Sequence, residues 1–80
     1  MIKAIILLRE QKGKCFWCGD KIDLSIDGYL TRDHLVPKSK GGSNSKENLV
    51  ASCRPCNQNF GDISIKDKIN HLKSNNFIHA

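Results

Sequence analysis

Two Cys-x-x-Cys pairs, Cys15 with Cys18 and Cys53 with Cys56, constrain this 80-residue chain more than any other feature. A domain of this length buries a small core that only just offsets its conformational entropy, so a covalent or metal staple is expected. The apolar run at residues 4–8 is too short for a secretory signal, and Arg9, Glu10 and Lys12 follow where a small-residue cleavage site would stand. Nothing in the chain approaches the roughly 20 apolar residues of a membrane span. The expectation is a cytoplasmic protein with no membrane partner, in which thiols stay reduced and paired Cys-x-x-Cys sequences hold metal. Four soft thiolates are the full tetrahedral complement of a structural zinc, a closed site with no position for substrate or water.

The interval between Cys18 and Cys53 is 34 residues, longer than the roughly 15 to 20 of a simple zinc ribbon. Something else must fill it. Periodicity predicts a short amphipathic helix over 2–12, with Ile2, Ile5, Ile6 and Leu8 near one face and Gly13 at its end. Cys15-Phe16-Trp17-Cys18-Gly19 reads as a metal knuckle, with Phe16 and Trp17 as packing residues. Residues 21–24 and 29–33 read as two short strands joined at Asp27-Gly28, a hairpin signal. A polar loop with Gly41-Gly42 follows Pro37, and apolar character returns at Leu49-Val50-Ala51. Pro55 suits the first turn of a helix carrying Asn57 and Phe60 and ending near Gly61. A last helix is expected over 64–74, with Ser64 and Asp67 as a loose capping box and Ile65, Ile69 and Leu72 on one face. No repeat or second domain is visible, so residues 1–80 read as one α+β domain.

Thirteen Lys and Arg against eight Asp and Glu leave a formal charge of +5, which four thiolates and one zinc would lower by two. The remainder favours a polyanionic partner through a weak, salt-sensitive attraction.

Within this frame, Asp33-His34-Leu35-Val36-Pro37, then Gly41-Gly42, Asn48-Leu49-Val50 and Cys53-Arg54-Pro55-Cys56-Asn57 resemble the HNH endonuclease family in its zinc-bearing form. The resemblance covers residues 15–62. It implies the ββα-metal fold, in which a hairpin and a helix grip one catalytic cation, here with a four-cysteine structural zinc and flanking helices. It also implies a metal-dependent endonuclease that nicks or cleaves DNA. Carried over by position, His34 matches the general base and Asp33 the metal-binding acid. Asn48 matches the Asn that steadies the loop opposite the base, and Asn57 the second protein ligand on the helix.

The chemistry asks for such groups. A phosphodiester is anionic and has a poor leaving group, so a cation that neutralises developing charge supplies much of the catalysis. An oriented imidazole suits the removal of a proton from water near neutral pH. With Asn57 in place of His both protein ligands are oxygen donors, which suit Mg²⁺ or Mn²⁺ better than zinc.

Phe60 departs from the family pattern, which often has a phosphate-binding Lys there, so Lys38, Lys40 and Arg54 become the candidates for substrate phosphate. His71 and His79 lie outside the motif and receive no role. The main alternative is a catalytically inactive zinc-ribbon-like module or adaptor that binds nucleic acid without cutting it. Phage DNA processing, restriction and mobile-element movement are all compatible settings, and a protein partner or homodimer is left open.

Overall fold

A computed structural model of the chain describes residues 1–60 and Lys66. The helix expected over 64–74, Lys66 apart, and the end at Gly61 lie outside the described residues. The elements in chain order are helix α1 (Ala4–Glu10), strand β1 (Leu30–His34), 3₁₀ turns at Lys38–Lys40 and Lys46–Asn48, strand β2 (Leu49–Cys53) and helix α2 (Arg54–Phe60). The result is α+β, a strand pair followed by a helix beside a four-cysteine cluster, consistent with the ββα-metal fold. Among the described residues no helix is long and apolar enough to cross a membrane.

β1 pairs antiparallel with β2, from Leu30 opposite Cys53 to His34 opposite Leu49. This corrects the hairpin expected between residues 21–24 and 29–33. Lys21 forms only an isolated bridge to Lys14, which closes the knuckle together with Cys15 N–H to Asp20 O and Ile22 N–H to Gly13 O. Residues 23–29 are wound into turns instead. Asp23 Oδ1 accepts both the Ser25 N–H at 2.9 Å and its hydroxyl at 2.6 Å, and Tyr29 N–H reaches back to Ile26 O. Asp27-Gly28 does lie in a turn, with Gly28 at φ +75°. The physical reason for the different pairing is burial: all five β2 residues are buried, whereas Leu24 and Ile26 remain exposed. A partner that brings its whole length into the core outweighs a local turn preference.

α1 is shorter than the expected 2–12 and docks through Leu7 and Leu8, leaving Ile5 and Ile6 on the exposed side. Its last turn is oriented by Gln11, whose side-chain amide accepts the Ala51 N–H at 2.8 Å and donates to Ala51 O at 3.0 Å. That exchange of two hydrogen bonds copies a neighbouring strand and satisfies the outer edge of β2. Phe16 N–H also bonds Ala51 O. The core is accordingly small: Leu7, Leu8, Trp17, Ile22, Leu49, Val50 and Ala51 pack with three of the four cysteines.

Candidate active site and metal centre

The two knuckles meet because the register places Cys53 at the end of β2 and Cys56 on the first turn of α2, facing Cys15 and Cys18. The ligand atoms of all four lie within 4.8 Å of one another, and Cys18 Sγ is 3.9 Å from Cys53 Sγ. Tetrahedral zinc with bonds of roughly 2.3 Å separates its sulfurs by about 3.8 Å, so the donor set could bind zinc with small adjustments. Cys53 N–H points at Cys15 Sγ at 3.4 Å, a backbone bond of the kind that stabilises a thiolate. The Cys15 thiol is lowered to about 4, chiefly by its hydrogen bond with Cys56, while burial pushes Cys18 up to about 12. That same bond to Cys15, with burial, raises Cys56 well above the usual thiol range. Thiolates this close repel one another, so full ionisation requires a cation at their centre.

At the other end of β1, Asp33 and His34 are adjacent and point to opposite faces of the strand. Asp33 turns inward and is 3% exposed. Its Oδ2 accepts the Trp17 indole N–H at 2.8 Å. His34 is half-buried, and its Nε2 lies 2.9 Å from Asn44 Oδ1. An amide oxygen only accepts, so in this contact Nε2 donates its proton and the ring is oriented by the bond.

Asn48 ties down the segment that follows. Its Oδ1 accepts Val36 N–H at 2.9 Å, and its Nδ2 donates to Val36 O at 3.0 Å and Ser43 O at 2.8 Å. Its backbone oxygen takes the Leu35 N–H. Gly42 fits under this clamp because it has no side chain: a Cβ there would overlap the Val36 carbonyl and stand 2.9 Å from Asn48 Nδ2.

Asn57, on α2, spends both amide hydrogens on β1, donating to Thr31 Oγ1 and Arg32 O at 3.0 Å each. Thr31 and Asp33 share a strand face, so Asn57 is anchored on the face that carries the acid. Its Oδ1 accepts no hydrogen bond among the described residues and remains available as an oxygen donor. A carboxylate and an amide oxygen on one face are the hard donors that Mg²⁺ or Mn²⁺ takes, with water completing its shell.

Of the phosphate candidates, Lys38 and Lys40 sit exposed on the 3₁₀ turn after Pro37, in the segment that Asn48 fixes beyond His34. Arg54 is exposed at the start of α2, beyond Cys53 and thus at the end of the sheet opposite His34. The structure therefore does not gather the three basic residues into one patch. It does add two residues that motif reading passed over. Trp17 carried a usable signal, since a buried indole needs an acceptor for its N–H. Asn44 carried none, being one of several polar residues in a loop.

Residues 15–62 match the HNH endonuclease family. The chain is 39% identical over 56 residues to the CRISPR-associated endonuclease Cas9 of Corynebacterium diphtheriae, an alignment covering 69% of this chain and 5% of that protein. It is also 39% identical over 61 residues to the type IV methyl-directed restriction enzyme EcoKMcrA of Escherichia coli, covering 72% of this chain and 22% of that enzyme. The chain thus spans a small part of the length of either relative. The family match takes in more than half of the chain, including both strands, both knuckles and α2, and on that ground the chain belongs to the HNH endonuclease family.

Proposed function

We propose that this domain hydrolyses the phosphodiester bonds of DNA in a reaction that depends on Mg²⁺ or Mn²⁺, with His34 as general base. The observation that supports it most directly is what β1 carries at and beside its end: a buried acid, an adjacent imidazole held by Asn44 and an amide anchored to the acid's strand face. Asp33 and Asn57 would hold the cation, which when bound neutralises charge developing on the phosphate and its leaving oxygen. The His34 imidazole takes a proton from water, whose oxygen then bonds to phosphorus as the bond to the leaving oxygen breaks. That leaving oxygen acquires a proton from solvent. Asn48 acts by fixing the loop beside the base, and Lys38 and Lys40, with Arg54 more remote, are proposed to meet substrate phosphates. The four cysteines hold zinc in a closed site, so it supports the fold and takes no part in the reaction.

Nicking of supercoiled plasmid tests this reading. Cleavage with Mg²⁺ or Mn²⁺ that is lost with EDTA and in His34→Ala supports it, and zinc in excess should fail to support cleavage. No cleavage under any metal, or cleavage that persists in His34→Ala, would turn the assignment toward a module that binds nucleic acid without cutting it.

A further inference from the structure

Trp17 stands between the two cysteines of the first knuckle, yet its polar atom is directed at the other site. The residue is 4% exposed, and its N–H donates to Asp33 Oδ2 at 2.8 Å in the interior. An indole can only donate, so any backbone carbonyl would have satisfied it. Its acceptor is instead the buried carboxylate. The plane of the ring is also held: Phe16 packs edge-on with centroids 4.8 Å apart and an interplanar angle of 88°, and the Phe16 N–H is bonded to Ala51 O of β2. Cys15 and Cys18, on either side, belong to the thiol cluster.

We propose that Trp17 is a positioning residue for the catalytic cation, its indole N–H fixing the Asp33 carboxylate so that the zinc knuckle sets the geometry of the cation site. The proposal rests on the reading of Asp33 as a cation ligand. A hydrogen bond from outside orients a ligating carboxylate, and loss of such a partner weakens metal affinity or activity by about 10- to 100-fold. A tryptophan that only filled the core would affect stability and leave cation affinity alone.

The zinc-loaded protein is titrated with Mn²⁺, bound and free ion being separated by electron paramagnetic resonance, with zinc content measured in parallel. Trp17→Phe should weaken Mn²⁺ binding about 10-fold or more at unchanged zinc content. It should also shift the metal concentration for half-maximal nicking more than the rate at saturating metal. Unchanged Mn²⁺ affinity in Trp17→Phe, with binding lost in Asp33→Asn, overturns the role of Trp17 and leaves Asp33 as ligand. Unchanged binding in Asp33→Asn overturns both. Should Trp17→Phe not fold, the wild-type protein decides. Its sole tryptophan gives one indole N–H resonance, which must shift as Mg²⁺ binds and lose its protection from exchange in Asp33→Ala, where no acceptor remains. A resonance indifferent to both refutes the proposal.

Discussion

Replacing Asn48 by Asp, an exchange of one NH₂ for an oxygen, should damage the protein at least as much as replacing it by Ala. The side chain makes three hydrogen bonds that pin residues 36 and 43 to the start of β2. Each is worth about 0.5–1.5 kcal/mol net, and because the clamp is partly solvated the lower half of that range applies. Asn48→Ala should therefore lose about 2 kcal/mol. Asn48→Asp keeps the bond from Val36 N–H but sets an anionic oxygen against the carbonyls of Val36 and Ser43, so two bonds become repulsions. The new carboxyl would have its folded-state pKa raised above its unfolded value. Its destabilisation is then full above the folded pKa and fades as pH falls through it, opposite to the behaviour of a salt-bridged Asp. Urea unfolding of zinc-loaded protein, followed by Trp17 emission at pH 8 and pH 5.5, reads both effects. An Asp variant as stable as the wild type, or a deficit that grows at the lower pH, would refute the reasoning.

Removing the structural metal with a strong chelator should collapse the fold, seen as loss of far-ultraviolet ellipticity, because structural zinc contributes on the order of 10 kcal/mol at neutral pH. Acid should do the same: burial already favours the protonated thiol at Cys18, so zinc affinity falls as pH falls. Gly42→Ala should cost about 1–3 kcal/mol by overpacking against Val36. Gly41→Ala has open space and only its φ of +88° to oppose it, so about 1 kcal/mol is expected there; equal thermal shifts for the two would count against the overlap at Gly42. Asn44→Ala should slow nicking about 10-fold at unchanged Mn²⁺ affinity by releasing the His34 ring, short of the roughly 10²- to 10⁴-fold loss on removing a general base.

The cysteine spacing announced a metal knuckle because thiol ligands must come in pairs that a tight turn can aim at one point, and the cluster forms as that spacing requires. The order of Asp33, His34, Asn48 and Cys53 to Asn57 likewise carried the family, since those residues are close along the chain to the elements that present them. The strand pairing was not legible. Asp27-Gly28 is a genuine turn signal, but local propensity is blind to the competition that β2 wins by burying every residue it has.

Residue type and spacing, properties a linear sequence carries in full, were thus enough to single out the groups proposed for the chemistry and the metal. How they are held was decided only by the tertiary structure. Trp17 reaches Asp33 across 16 positions, and Gln11 reaches Ala51 across 40. Asn57 rests on a strand 25 residues before it. Contacts of that span depend on how α1, the knuckle and α2 stack around β2, and hydrophobic burial, which drives that stacking, is non-directional and leaves no periodic trace in the residues whose polar atoms it brings together.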